Sequence, residues 1–147
     1  MGPRPMTEAT RRLAGMEMLL RRIHLCHDQV EAADLIANAL PGLADVDWAE
    51  LHVIGSDDGP AVGGNEHRDL VMASLAAGRV CAAGGQDEPA LVAVPLQGGP
   101  GACGAVVLAR LDGERFHGPE LRLLRLFADH ASSSLSRISQ PAGAAAT

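Results

Sequence analysis

The stretch that decides the fold reads Leu91-Val-Ala-Val-Pro-Leu-Gln-Gly-Gly-Pro-Gly101, then Cys103-Gly-Ala-Val-Val-Leu-Ala-Arg-Leu111. Both apolar runs have the length of strands, and the glycine- and proline-rich turn between them is typical of a hairpin. A loop then leads into an amphipathic segment over residues 120–138. A strand pair that feeds a long helix predicts an antiparallel sheet with a helix packed across one face.

The rest of the chain adds three helices and three shorter strands. Thr7 is a candidate N-cap for a helix to about residue 25, and Asp28 for a second helix over 29–40, which Pro41-Gly42 stops. The remaining elements are a strand at 48–54, a weak strand at 60–63, a helix from Asn65 or Asp69 to Gly78, a short strand at 80–82 and a loop at 83–89. The predicted buried side of this third helix consists of Leu70, Val71, Met72, Leu75 and Ala76. Strands that follow one another and are joined by turns make the sheet antiparallel, so the predicted fold class is α+β.

Composition limits the classes of function. The chain has 147 residues, 47% of them hydrophobic, and a net charge of −6. We expect one domain over residues 7–139 between disordered ends at 1–6 and 140–147. The absence of a basic stripe excludes nucleic acid as a partner, and no apolar run reaches the ~18 residues that a membrane span needs. Three widely spaced cysteines and no secretion signal indicate the cytoplasm.

Both terminal helices have more apolar surface than one packing partner covers. Leu123 and Leu126 widen the apolar arc of the last helix beyond the face that one sheet needs. In the first helix, Met18 and Leu19 lie outside the predicted buried stripe. That stripe consists of Leu13, Met16, Leu20, Ile23 and His27. The surplus predicts a homodimer formed through the terminal helices.

Several of these motifs resemble a GAF domain, over about residues 28–138. They are Val94-Pro95-Leu96 before a glycine-rich turn, Gly104-Ala-Val-Val-Leu108, Phe116, Pro119-Glu120-Leu121 before a leucine-rich helix, and Gly78-Arg79-Val80. The resemblance implies a small stand-alone domain with an antiparallel sheet of about six strands and the terminal helices on one face. A small-molecule pocket would lie on the other face, under the third helix and the loop around residues 80–90. Such domains commonly dimerise through their terminal helices.

The expected function is therefore a non-catalytic sensory or regulatory homodimer that binds a small ligand, a signalling protein partner or both. The sequence does not identify a cofactor. Glu50 and His52 alternate on one face of the first strand, where they either face the pocket or form a satisfied sheet pair. His67 and Arg68 precede the third helix, where they either bind an anion with backbone N–H groups or belong to a solvated loop. The candidate ligand-binding residues are Glu50, His52, His67, Arg68, Met72 and Cys81.

The alternative function is a thiol- or metal-dependent enzyme. Within the GAF resemblance, free methionine sulfoxide reductases use cysteines around this pocket. The surroundings of Cys81 and Cys103 lack the histidine and aspartate of that signature, so we interpret both as small buried residues. His24, Cys26 and His27 form the densest cluster of possible metal ligands, and the other interpretation is a helix end. Scarce aromatic residues and a missing cyclic-nucleotide motif disfavour a cyclic nucleotide.

Overall fold

The computed structural model describes residues 5–54, 60–62, 67–84, 87–96 and 104–138. Within these ranges the elements follow the order predicted from the sequence. They are α1 (Pro5–His24), α2 (Gln29–Ala44), β1 (Trp48–Ile54), β2 (Pro60–Val62), α3 (Arg68–Ala77), β3 (Cys81–Gly84), β4 (Ala90–Leu96), β5 (Gly104–Arg110) and α4 (Gly118–Ile138). The sequence predicted disordered ends at 1–6 and 140–147. Residues 1–4 and 140–147 lie outside the described residues, as do Cys103 and the hairpin turn, whereas Pro5 and Met6 belong to α1.

The described strands form one antiparallel sheet in the order β2-β1-β5-β4-β3. β4 and β5 are the hairpin that the sequence predicted, with Val94 opposite Val106 and Leu96 opposite Gly104. β1 pairs with the other edge of β5, and the short strands β2 and β3 lie at the edges. The predicted α+β class is confirmed, and five of the about six strands implied by the resemblance lie in the described residues.

The two faces of the sheet are covered differently. The main hydrophobic core joins α1, α2 and α4 to side chains such as Leu51, Val94 and Leu108. α3 packs on the opposite face, where the fully buried Val71 contacts a smaller cluster. The residues of this cluster that belong to the sheet are Ala93, Ala105 and Val107. This confirms the predicted arrangement, with the terminal helices on one face and the short helix on the other; α2 joins the terminal helices.

The buried stripe of α1 differs from the predicted one. Met16, Leu19 and Ile23 are buried, whereas Leu13 is 45% exposed and His27 lies beyond the helix in solvent. α1 packs against both α2 and α4, so its buried side follows the line between these two helices and not the sheet. The predicted stripe was therefore wrong at Leu13, Leu19 and His27.

α2 continues through Pro41-Gly42, where the sequence predicted its end. Pro41 keeps a helical φ but has no N–H to donate to the carbonyl oxygen of Ala37, so the last turn continues with one helical hydrogen bond fewer. The helix ends at Asp45, which adopts the left-handed conformation with φ 57°. The N–H of Val46 donates to the carbonyl oxygen of Pro41 at 3.1 Å, which satisfies a terminal carbonyl.

Gly104 explains part of the hairpin motif in structural terms. It lies opposite Val53 of β1, and any Cβ there would collide with the backbone carbonyl of His52. A residue with a side chain would push β1 away from β5. The close approach of these central strands therefore requires glycine at this position.

Candidate functional site

β1 presents three of its side chains to the face that α3 covers. Trp48, Glu50 and His52 alternate with Ala49, Leu51 and Val53, which belong to the main core. The sheet register puts Glu50 opposite Val107, a residue of the cluster under α3. Since residues opposite each other in a sheet share a face, Glu50 and His52 point to the α3 side. This is the face on which the sequence predicted a pocket.

His52 is a buried polar side chain of this face. It is 1% exposed, and its Nε2 lies 3.1 Å from Oε1 of Glu50. The side chain of Glu50 is 44% exposed. A buried imidazole is costly to desolvate unless it is hydrogen-bonded, and the carboxylate supplies that partner. The pair therefore links the protein interior to a carboxylate that solvent reaches.

His67, at the start of α3, contacts the side chains of Trp48 and His52 on this face. Its ring stacks on Trp48 with centroids 5.2 Å apart and meets the His52 ring edge-on at 6.4 Å. His67 occupies the N-cap position of α3, although its side chain does not cap the helix. We refer to Trp48, Glu50, His52 and His67 as the His52 cluster. It combines two imidazoles, one indole and one carboxylate within a half-buried surface.

The structure brings together three of the six predicted ligand-binding residues. Arg68 follows His67 in the chain and is half-buried, whereas Met72 is 42% exposed on α3 instead of lying on its buried side. Cys81 shares a sheet row with Glu50, because each residue of the series Cys81, Ala93, Val107 and Glu50 lies opposite the next. Three strand spacings of about 4.8 Å separate Cys81 from Glu50 by about 14 Å. The thiol is therefore remote from the His52 cluster.

The residues predicted as weak metal ligands do not converge. The side chain of His27 is 92% exposed and pairs with Glu31, while Nδ1 of His24 lies 3.5 Å from Oγ of Ser134. Burial raises the pKa of Cys26, and the nearby carboxylates of Glu31 and Asp28 raise it further, which disfavours the metal-binding thiolate. Within the described ranges, no group of three or more His, Cys, Asp or Glu residues could hold a metal ion.

An open apolar groove of about 400 Å³ lies between α1 and α4, on the other side of the molecule. Leu13 and Leu20 line one wall, and Leu126 and Phe127 line the other. Leu13 and Leu126 are both about half exposed. This groove coincides with the surplus apolar surface predicted for the terminal helices.

Comparison with solved structures identifies the fold. The chain is similar to the GAF domain of a phosphoenolpyruvate-protein phosphotransferase from Coxiella burnetii, at 12% identity and a TM-score of 0.72, over 93% of this chain and 98% of that one. It is also similar to the GAF domain of a potassium sensor histidine kinase from Escherichia coli, at 15% identity and a TM-score of 0.68, over 89% and 97% of the two chains. The chain has the GAF fold.

The GAF fold also occurs in an enzyme among the similar structures. Free methionine-R-sulfoxide reductase from Neisseria meningitidis, solved with its substrate, matches at 13% identity and a TM-score of 0.68, over 85% of this chain and 88% of that one. No family model matches the sequence, and a search of curated proteins finds no match. The structural similarity establishes the fold, and sequence identities this low show nothing about the function.

Sequence reasoning missed a buried arginine at the end of β5. Arg110 forms an ion pair with Glu120 at 2.6 Å, and its guanidinium carbon lies 4.2 Å from the centroid of the Phe116 ring. It also donates to the carbonyl oxygens of Ala44 and Asp45 at the end of α2. Arg110 thus joins β5, α2 and the start of α4. The sequence did contain a signal for this ion pair: Arg110 ends an apolar strand, and Glu120 follows ten residues later at the start of a helix.

Sequence reasoning also missed the buried Ser74 of α3. Its hydroxyl lies 2.7 Å from the carbonyl oxygen of Arg79 and 3.2 Å from that of Ala93. These contacts attach the end of α3 to β4 beneath the small cluster of Val71. A serine inside an apolar stripe gives no sequence signal that distinguishes a buried hydroxyl from an exposed one.

Proposed function

We propose that this GAF-fold chain is a non-catalytic sensory domain. It binds a small polar ligand at the His52 cluster, forms a homodimer through α1 and α4, and passes the signal to a protein partner. Its setting is the cytoplasm, in keeping with the unpaired thiols of Cys26 and Cys81. The observation that carries the proposal is the buried His52 ring, hydrogen-bonded to a carboxylate that solvent reaches.

The chemistry of the His52 cluster favours a small polar ligand over a reaction. Glu50 can accept hydrogen bonds from a donor or a cation, and the half-buried rings of Trp48 and His67 offer apolar faces beside it. Aromatic faces next to a few convergent polar groups are typical of ligand sites. A thiol reaction at this position would need a nearby cysteine, and Cys81 lies about 14 Å away by the strand spacing.

The opposite face of the sheet supports the dimer. The groove between α1 and α4 is apolar, and the exposed Leu13 and Leu126 line it. Exposed apolar patches of this kind mark interaction surfaces. A ligand on the α3 side and a partner subunit on the α1 and α4 side would contact opposite faces of one sheet. This gives a physical connection between the two sites.

Native mass spectrometry of freshly purified protein tests the ligand part. The wild-type protein should carry a bound small molecule, and Glu50→Gln should lose most of it, because the amide cannot hold a positive or donating group as a carboxylate does. Asp34→Asn is the matched control, since Asp34 is exposed on α2. A wild-type spectrum with only the bare protein mass would contradict the proposal. Equal retention of the molecule by Glu50→Gln would contradict it as well.

A further inference from the structure

α1 exposes an apolar face that the packing of the described residues leaves uncovered. Its buried stripe points into the core, whereas Leu13 and Leu25 are 45% and 75% exposed. Leu25 continues the last turn of the helix, with its N–H donating to the carbonyl oxygen of Arg22. Leu13 and Leu25 belong to one row of residues spaced four apart along the helix, and exposed apolar side chains of this kind mark a surface for another protein.

Two opposite charges lie in the middle of this face. Glu17 and Arg21 are both exposed, and the spacing of four residues places them about 6 Å apart along the axis and about 40° apart around it. Within the described residues, the ion pairs join other side chains. Both charges are therefore available for contacts outside the subunit.

We propose that α1 packs against α1 of a second copy in the antiparallel direction, with the twofold axis at the level of Leu19. This inference rests on the proposed homodimer and specifies its register. Glu17 then faces Arg21 of the second copy, and the reverse pair forms by symmetry. The same register places Leu13 opposite Leu25 of the second copy, because these two residues are equally far from Leu19, as Glu17 and Arg21 are. A single register therefore pairs opposite charges and also pairs the two exposed leucines.

The charges also disfavour the parallel arrangement. In a parallel twofold pair each residue faces its own copy, so Glu17 would meet Glu17 and Arg21 would meet Arg21. Like charges opposed at an interface are strongly unfavourable. Leu126 of α4 lies across the groove from Leu13 and extends the apolar surface on one side of the helix pair. The occupant of this face is therefore a second copy, in antiparallel orientation.

Charge reversal followed by sedimentation velocity of the full chain tests this register. Glu17→Arg and Arg21→Glu should each raise the dimer Kd at least about tenfold, since each reversal creates two like-charge contacts. An equimolar mixture of the two variants should dimerise as the wild type does, because arginines then face glutamates at both positions. The double variant E17R/R21E should also recover wild-type dimerisation. Arg22→Glu, the adjacent exposed arginine about 100° around the helix, is the control and should leave the Kd unchanged.

The outcomes separate the register from the proposed function. A wild-type dimer that neither single reversal weakens overturns the antiparallel register and leaves the homodimer in place. A wild-type monomer overturns both the register and the dimer, while the ligand site is tested independently by mass spectrometry. Circular dichroism should show unchanged folding in all variants, because both residues are exposed.

Discussion

At the residue scale, the contact between Arg110 and Glu120 shows how a partly buried charge is tolerated. Burial alone raises the pKa of Glu120, but the hydrogen bond from Arg110 and the backbone N–H of His117 outweigh it, so the pKa is lowered. The hydrogen bond to Glu120 in turn raises the pKa of Arg110. The pair is charged throughout the ordinary pH range and fixes the start of α4 on the end of β5.

We predict that Glu120→Gln lowers the free energy of unfolding by about 2 kcal/mol at neutral pH, the usual loss for a hydrogen bond to a charged group. Because the folded pKa of Glu120 is depressed, its contribution is present above the unfolded value of about 4.3 and is lost as the pH falls through the folded value. Urea titrations between neutral and acidic pH should therefore show the two proteins converging in stability below about pH 4. A constant difference at all pH values would contradict the role of the charge.

The matched control is Asp129→Asn. Asp129 lies on the same helix, 3.8 Å from Arg125, and both side chains are more than a third exposed. Exposed ion pairs of this type contribute about 0.5 kcal/mol or less. A loss at Asp129 as large as that at Glu120 would indicate a general effect of charge on α4.

At the element scale, α3 is attached to the sheet by a hydroxyl as well as by apolar packing. Its buried stripe comprises Val71 and Ser74, with Leu75 half-buried, whereas Met72 and Ala76 are exposed. The sequence pattern predicted Met72 and Ala76 on the buried side, because a short helix with many apolar residues does not define a single face. In the structure, Ser74 lies near two carbonyl oxygens, and these contacts show which side of α3 faces the sheet.

We predict opposite effects for two buried serines. Ser74→Ala should destabilise the fold by about 1–2 kcal/mol, because it removes the buried hydroxyl proton that the carbonyl oxygens of Arg79 and Ala93 share. Ser132 of α4 is fully buried, and its Oγ has no hydrogen-bond partner among the described residues. Ser132→Ala should therefore be neutral or stabilise by up to about 1 kcal/mol. Thermal unfolding measures both, and the same sign of change in the two variants would contradict this interpretation.

The order and type of the elements were predictable from local patterns. Strand alternation, the glycine-rich hairpin turn and the 3.6-residue period of α4 are properties of neighbouring residues. The end of α2 was predicted four residues early, since a proline in the last turn has the same sequence signal as a proline after the helix. The buried stripe of α1 depends on the angle between α1, α2 and α4, which no local pattern contains.

At the scale of the whole molecule, the sheet separates two surfaces with different chemistry. Within the described residues, no helix is long and apolar enough to cross a lipid bilayer. The α3 face carries the His52 cluster, and the opposite face carries the groove between α1 and α4. The sequence predicted Glu50, His52 and His67 as candidates from alternation and from their place before a helix. The stacking of His67 on Trp48 depends on how α3 sits over β1, so it required the three-dimensional structure.

The most direct test of the central claim uses the fluorescence of Trp48, the single tryptophan of the chain. Titration with the small molecule recovered from the wild-type protein should change Trp48 emission and saturate at one molecule per subunit, because the indole belongs to the proposed site. Glu50→Gln should bind at least about tenfold more weakly, as expected for loss of a charged contact, and Asp34→Asn should bind as the wild type does. Saturable binding that leaves Trp48 emission unchanged, or that Glu50→Gln does not weaken, would contradict a ligand site at the His52 cluster.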